Sequence, residues 1–221
     1  MKSYAGLRAR KGYELAFHFL KADMTAGSGH EPKWKLGEER EHQGRLVMCE
    51  SGYHSSPSWL DAARYAPGPV ACIVEIGGEI KRDTDKQVSQ KRRLLRYKNI
   101  ERELRLFACD CAERALKRER KAKREPDKRS REAVRVARLF AHGKATQKEL
   151  SAAWGAAASA ASSAAWGAAA SAARSAAWGA AGAAASAARS AARSAAWGAE
   201  HKWQRAALDK RLRIALKGRA R

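Results

Sequence analysis

The segment "CESGYHSSPSWLDAARYAPGPVACIVEIGGEI" (residues 49–80) has the most regular patterning in the first half of the chain. Ser56 followed by Pro57 predicts a helix start, because serine caps helices and proline suits the first helical position. The short helix "PSWLDAARYA" should then end at Pro67 and Gly68. The apolar run "VACIVEI" is typical of a buried strand, which the following Gly-Gly pair should end. Turn, helix and strand together indicate an α+β module.

Further apolar runs on either side of this segment predict additional strands. They are "SYAGLRA", "LAFHFLKA" and "RLVMC" before it and "KQVSQKRRLLRY" after it. Between the second and third runs lies "TAGSGHEPKWKLGEEREHQG", whose glycines and charges predict a loop or an irregular hairpin. The sequence therefore predicts a small mixed α/β domain over residues 1–98.

Residues 99–221 are predicted to form an all-helical domain rich in alanine, so that the whole chain is of the α+β class. Asn99 is positioned to cap a long charged helix that Pro126 ends. Apolar side chains recur along this helix at the spacing of one buried face. The members of that stripe are Ile100, Leu104, Phe107, Cys111 and Ala115.

Two further helix starts follow. Asp127 should cap a second helix that ends near Gly143, and Thr146 with Glu149 has the spacing of a capping box. The box precedes an Ala/Ser/Gly tract (residues 151–197). The high helix propensity of alanine and the regular tryptophans favour helix over disorder, and the weak hydrophobicity of the tract argues against a membrane span.

The tryptophans of the tract do not share one face of a straight helix, which turns by about 100° per residue. Glycine follows each of them, so the tract is either one kinked helix or several shorter ones. We expect these tryptophans to be buried between close-packed helices rather than to stack on bases. They are Trp154, Trp166, Trp178 and Trp197, and the arginines expected to face a partner are Arg174, Arg189 and Arg193.

Positive charge is concentrated in the second part of the chain. Residues 1–90 contain 13 Lys/Arg and 12 Asp/Glu, whereas residues 91–221 contain 32 and 11, so nearly all of the net charge of +22 lies after residue 90. Such a surplus favours polyanionic partners, namely DNA, RNA, anionic lipid or an acidic protein. The alternative is a solvated helix surface without a partner.

Several classes of function find no support in the motifs. No phosphate-binding glycine loop, nucleophile elbow or metal-binding His or Cys spacing is present. The four cysteines form no disulfide framework, and Cys49 with His54 lacks further ligands, so we expect no metal, no other cofactor and a reducing, cytoplasmic location. The first residues carry charge where a signal peptide is apolar, and no membrane partner is expected.

Residues 49–80 also resemble an uncharacterised family of bacterial and phage proteins. Its marks are a "C-x-SGFHAC"-like turn, a short helix ending in Tyr-x-Pro and a "V-x-VE-x-G" strand. The segment "FACDCAERAL" resembles the family's "FAxWCAERAL" helix, which Ala/Trp repeats and an immunity-type helical domain follow. The resemblance implies no agreed activity. The matching positions are Cys49, Gly52, Tyr53, His54, Tyr65, Pro67, Val74, Glu75 and Gly77.

A more distant similarity is to the ADP-ribosyltransferase fold. "SGYHSSPSWLDAARYAPGPVACIVEIGG" is similar to that family's turn, helix and strand, and "SYAGLR" takes the place of its first strand. The similarity implies NAD as cofactor and a nicotinamide-type pocket. The residues it implies for the pocket are Tyr4, Arg8, Tyr53 and Tyr65, and its catalytic candidates are Tyr53, His54 and Glu75. The family's opening His and late catalytic Glu have no counterpart in this sequence.

Three functions are therefore predicted, in order of expectation. The first is a basic nucleic-acid-binding protein with sequence-blind phosphate contacts. The second is a transferase-like enzyme or a binder of an NAD-derived ligand. The third is an immunity or inhibitor module of phage–bacteria conflict that binds an acidic protein. The predicted nucleic-acid-binding residues, from which Lys210 is left out, are Lys91, Arg92, Arg93, Arg96, Lys98, Arg118, Lys121, Arg124, Arg211, Arg213 and Lys217.

Overall fold

A computed structural model describes residues 3–27, 31–123, 125–158 and 197–217. The chain divides into two compact units, one of residues 1–100 together with 208–221 and the other of residues 101–207. The first is rich in sheet and the second is helical, so the α+β class predicted from the sequence is confirmed. The predicted domain division, 1–98 and 99–221, stays a prediction, and the structure groups the C-terminal residues with the sheet.

The described part of the first unit contains two antiparallel sheets, one short helix and the last turns of the C-terminal helix. Strands β1 and β2 form a two-stranded hairpin. The larger sheet has the order β3-β6-β7-β4, and β5 also pairs with β7. The elements are β1 (Ser3–Tyr4), β2 (Leu7–Arg8), β3 (Glu14–Leu20), β4 (Glu39–Glu41), β5 (Tyr53–Ser55), α1 (Trp59–Arg64), β6 (Val70–Arg82) and β7 (Gln87–Asn99).

The 13-residue strands β6 and β7 form the hairpin on which the larger sheet is built. The prediction that Gly77 and Gly78 end the strand is wrong, because β6 continues to Arg82. The pairing shifts register between Gly77 and Ile80, and Gly78 has a φ of +71°, so the glycines lie in an irregularity within the strand. Gly77 also leaves room for Tyr13, whose ring carbons lie 2.5 Å from the position of a Cβ.

Both faces of the β3–β6 pair are buried. Because side chains alternate along a strand, Ala16 and Val74 pack on one face, in a core that includes Trp34. Phe17 lies on the opposite face, where its ring centroid is 4.3 Å from that of Trp59 in α1. Burial on both faces explains why β6 reads as a continuous apolar run rather than an alternating one.

The aromatic face is held by a buried hydrogen bond. Nε1 of Trp59 donates to the hydroxyl of Tyr4 (2.9 Å), and that hydroxyl donates to the carbonyl of Asp209 (3.2 Å). Burial raises the pKa of Tyr4 well above its usual value, so the phenol stays protonated. The pair thus ties the first hairpin, α1 and the C-terminal segment of the first unit together.

Three local predictions in the first unit are wrong. "SYAGLRA" is a hairpin rather than one strand, since Ala5 and Gly6 adopt φ values of +49° and +83°. "RLVMC" is a turn with one isolated bridge from Val47, and the segment predicted as a turn contains β5. The N-cap of α1 is Ser58, whose hydroxyl accepts from the Asp61 amide at 3.2 Å, and not Ser56.

The second unit contains α2 (Glu101–Lys121), α3 (Lys128–Ala141), α4 (Gln147–Ala158) and the start of α5 (Trp197–Ala215), whose last residues belong to the first unit. The predicted stripe of α2 is buried throughout. The predicted end at Pro126 is wrong, because α2 ends at Lys121 and Lys123 has a φ of +59°.

The predicted caps of α3 and α4 are confirmed. The Asp127 carboxylate accepts from the Arg129 amide (2.7 Å). Thr146 and Glu149 form the reciprocal capping box, with backbone-to-side-chain distances of 2.7 and 3.2 Å. Helix α4 carries the start of the alanine-rich tract to Ala158, and residues 159–196, with the predictions made for Trp166, Trp178, Arg174, Arg189 and Arg193, lie outside the described residues.

Replacing Gly52 by alanine should destabilise the first unit by about 2–4 kcal/mol. Its φ is +100°, and a Cβ would lie 2.6 Å from Val88 and 2.7 Å from Leu46, so backbone strain and a clash in the core add. Gly44→Ala is the matched control, because Gly44 has a similar φ of +105° but no atom within 4 Å of the added Cβ. Urea unfolding measures both variants, and equal losses would contradict a role for packing at Gly52.

Candidate functional site

Helices α2 and α3 enclose a groove of about 420 Å³ in the second unit. Its floor contains the buried side chains of Leu116 and Val134, which are 7% and 2% exposed. Around the floor lie six lysines and arginines and one histidine, and Glu113 is the one carboxylate among the described lining residues. These lining residues are Lys117, Arg120, Arg131, Arg135, Arg138, Lys144, His142 and Glu113, with Leu139 completing the wall. The groove is therefore a concave cationic site.

Local sequence explains how the cations come to one place. Arg131, Arg135 and Arg138 follow the i, i+4, i+7 spacing of one helix face, so all three project from the same side of α3. After α3 the chain reverses at Gly143 (φ +69°), and the Lys144 amide donates to the Leu139 carbonyl at 2.8 Å. This Schellman-type turn holds Lys144 at the end of the groove.

Most of the groove arginines have carboxylate neighbours. Arg138 contacts Asp110 and Glu113, each at 2.9 Å, and Arg135 contacts Glu132 at 2.6 Å. The Arg135–Glu132 pair is highly exposed, with side chains 62% and 49% accessible. Exposed pairs of this kind contribute about 0–1 kcal/mol. An incoming anion can therefore displace the Arg135 pair, whereas the partly buried Arg138 is held by two carboxylates.

All six groove cations are missing from the residues predicted to bind nucleic acid: Lys117, Arg120, Arg131, Arg135, Arg138 and Lys144. Charge runs between residues 117 and 124 dominated that prediction. The spacing along α3 carried the missing signal, because it places three arginines on one face beside a second basic helix.

Several predicted nucleic-acid contacts instead stabilise the first unit. Arg96 Nη1 donates to the carbonyls of Ala5 and Leu216, both at 2.8 Å, and Lys98 Nζ donates to the carbonyl of Ala215 at 3.0 Å. These carbonyls include the C-terminal end of α5, where helices leave carbonyl groups unsatisfied and favour positive charge. Arg96 and Lys98 thus cap a helix.

Arg92 is wrongly predicted as a phosphate contact, because its side chain is only 3% exposed. It points to the core face and donates to the His54 carbonyl at 2.8 Å. Its guanidinium lies over the rings of Trp34 (4.4 Å) and Tyr53 (5.0 Å) and 3.6 Å from the carboxylate of Glu31. We call these residues the Arg92 cluster; they leave Arg92 no access to a surface ligand.

The remaining predicted contacts divide between paired and exposed positions. Lys91 lies 3.4 Å from Glu41, Arg93 donates to the Gly37 carbonyl, and Arg118 donates to the buried Glu200 at 2.6 Å. Arg211 is partly buried, and Arg213 lies over the Tyr4 ring. Lys121 and Lys217 are exposed, and Arg124 lies outside the described residues. A role of these residues in binding nucleic acid therefore stays a prediction.

The catalytic candidates do not converge. In β6, Glu75 pairs with Arg93 and Ile76 with Arg92, so Glu75 points to the face opposite the Arg92 cluster that contains Tyr53. Glu75 is 1% exposed and accepts from the backbone and side chain of Arg10, both at 2.6 Å. Its buried carboxylate is held by the exposed Arg10 and has no open side toward a substrate.

The other ligand candidates are also separate. Tyr4 and Arg8 line one pocket of about 330 Å³ beside Arg213. Tyr65 is half exposed, and its hydroxyl donates to Asp85 at 2.8 Å. Nε2 of His54 accepts from the Cys49 amide at 2.8 Å. Of the four residues predicted to line a ligand pocket, the structure therefore brings together Tyr4 and Arg8, whereas Tyr53 and Tyr65 lie elsewhere.

Burial shifts the pKa values of the groups around Arg92. It lowers the pKa of Arg92 to about 10 and raises that of the Cys72 thiol to about 12. Burial, followed by repulsion from Arg92, lowers the pKa of both His18 and His54. His18 Nε2 is buried without a hydrogen-bond partner among the described residues. At neutral pH, Arg92 is charged and both imidazoles are neutral.

The described residues contain no group of three or more His, Cys, Asp or Glu side chains arranged to hold a metal ion. In the same ranges, no helix combines the length and the apolar character that crossing a membrane requires. Cys49 is exposed, and Cys72, Cys109 and Cys111 are buried as free thiols.

The neutral His18 predicts a loss of stability in acid. The unfolded state binds a proton below about pH 6.5 whereas the folded state resists it, so stability is complete above that pH and falls below it. Wild-type unfolding free energy should fall between about pH 7 and pH 5.5, by up to about 1.4 kcal/mol per pH unit from this group. His18→Leu should flatten the slope and the exposed His142→Gln should not; equal slopes from urea unfolding would contradict the prediction.

Comparison with known proteins bears on the sheet-rich part of the chain. Residues 14–106 match the model of a family described as a domain of unknown function (DUF7666). Neither the curated proteins nor the solved structures gave a match. The matched segment includes the Arg92 cluster, whereas the groove residues, 113–144, follow it. The first part of this chain is therefore similar to an uncharacterised family.

Proposed function

We propose that this protein binds nucleic acid through phosphate contacts in the α2–α3 groove. The observation that carries the proposal is the surplus of cations around the groove, where six Lys/Arg side chains outnumber the four carboxylates that pair with them, namely Asp110, Glu113, Glu125 and Glu132. Phosphate contacts with Lys and Arg release counterions, which drives association at moderate salt. A cluster of cations around one concave space is the arrangement that this mechanism needs.

Arginine supplies four of the six groove cations, which suits phosphate in particular. A guanidinium group presents a planar fork of donors that binds phosphate through two hydrogen bonds. Arg131 and Arg120 now share the exposed carboxylate of Glu125, and Arg135 is paired with Glu132. Exchanging a solvent-screened carboxylate for a phosphate costs little, because the existing pairs are weak.

The proposed binding is independent of base sequence. Contacts to phosphate position a protein on nucleic acid but carry no base information. The lining includes no Asn or Gln, the side chains that pair with adenine edges. Affinity should therefore depend on salt and length far more than on sequence.

The chemistry of the floor favours nucleic acid over an acidic protein. Protein interfaces depend on aromatic or aliphatic anchors that fill desolvated pockets. Leu116 and Val134 are nearly inaccessible, and the described lining contains no Phe, Tyr or Trp, so the groove presents no aromatic anchor of its own to a protein partner. The transferase activity and the protein-binding module stay predictions. Competition with an acidic polypeptide distinguishes a site for an acidic protein from a site for nucleic acid.

The triple variant Lys117→Gln, Arg135→Gln, Lys144→Gln should weaken binding of a labelled oligonucleotide. Removing three phosphate contacts should also reduce the slope of log K against log salt by roughly 2, between about 50 and 200 mM salt. Fluorescence anisotropy measures both quantities, and circular dichroism checks that the exposed substitutions leave the helices intact.

The matched control removes the same charge elsewhere. Lys21→Gln, Lys33→Gln, Lys35→Gln alters three exposed lysines of the first unit and should leave the salt slope close to the wild-type value. Equal effects of the two triple variants would show that only overall charge matters. Binding that does not depend on salt, or no binding at about 50 mM salt, would overturn the proposal.

A further inference from the structure

We infer that the α2–α3 groove selects single-stranded over double-stranded nucleic acid. The inference rests on the proposed function and names the class of ligand for the same site. Its basis is the position of Arg120, Arg131 and Arg135, which are exposed around an open depression. Shape, together with the abundance of arginine, decides between the two forms of nucleic acid.

Duplex recognition usually places a protruding element in a groove of the nucleic acid. The major groove of B-DNA is about 12 Å wide and admits a helix or a two-stranded ribbon. In this protein the α2–α3 groove is itself a concave surface and not a projecting element. A rigid duplex can therefore contact it mainly along its rim, whereas a flexible single strand can bend to follow the depression.

The size of the groove suits a segment of a single strand. Its volume of about 420 Å³ lies at the lower end of the range for small-molecule sites, roughly 300–1,000 Å³. Such a space is comparable in size to one nucleotide with its phosphate. The closed floor at Leu116 and Val134 limits how deeply a base can enter.

Unpaired bases also find stacking partners in the groove walls. Arg120, Arg131 and Arg135 are exposed, and guanidinium planes stack on bases through cation–π contact. Bases within a duplex are already stacked on each other and offer no free face. The arginines can therefore contribute to single-strand binding twice, through phosphate contact and through base stacking.

The test compares two ligands and a charge-conserving variant. An oligothymidylate of about 20 nucleotides and its duplex with oligoadenylate are titrated at equal salt. Wild type should bind the single strand at least about fivefold more tightly. Arg120→Lys, Arg131→Lys, Arg135→Lys keeps the charge but removes the guanidinium planes, so it should weaken single-strand binding about threefold or more and narrow the preference.

The matched control is Arg8→Lys, Arg45→Lys, Arg82→Lys, which alters exposed arginines of the first unit and should retain the preference. Equal or tighter duplex binding with a normal salt slope would overturn the inference and leave the proposed function standing. A preference that survives the groove Arg→Lys changes would overturn the stacking argument. Loss of salt-dependent binding to both ligands, or displacement by polyglutamate as effective as by oligothymidylate of equal charge, would overturn the proposed function itself.

Discussion

The buried guanidinium of Arg92 is the constraint around which the sheet-rich unit is organised. A cation at 2% exposure is stable only if neighbouring groups replace its hydration shell. Glu31 and Trp34 supply a carboxylate and a ring face from the segment before β4, and β5 supplies the Tyr53 ring and the His54 carbonyl. Arg92 thereby fixes the paths of both the segment before β4 and the segment around β5. The few backbone hydrogen bonds that pair β4 and β5 with β7 would not fix these paths alone.

Positive charge consequently has two distinct uses in this protein, and composition does not separate them. In the first unit Arg96 and Lys98 satisfy carbonyls at a helix end, and in the second Arg118 neutralises the buried Glu200. These cations donate hydrogen bonds to carbonyl and carboxylate groups of the protein. If they turned toward a phosphate, those acceptors would lose their partners. Arg120, Arg131 and Arg135 of the groove differ, because their carboxylate partners Glu125 and Glu132 are exposed and screened, so the groove retains capacity for a ligand.

The sequence predicted those features that depend on residues close together in the chain. The cap at Asp127, the capping box at Thr146 and the buried stripe of α2 involve contacts within one or a few helical turns, and the structure confirms them. Predictions failed where long-range pairing decided the outcome. Gly77 and Gly78 normally interrupt a strand, but pairing with β7 carries β6 through them; the "RLVMC" run (residues 45–49), apolar enough for a strand, has only an isolated bridge.

The same distinction explains why the candidate site was only partly visible in the sequence. The surplus of charge after residue 90 and the runs around Lys117 and Arg120 were evident, yet a groove exists only when a second helix places Arg131 and Arg135 opposite them. That pairing depends on which face each helix buries, and the apolar stripe of α2 with the buried face of α3 determines it. Charge patterning therefore acquires functional meaning only after the apolar faces have been paired, since burial decides which cations remain at the surface.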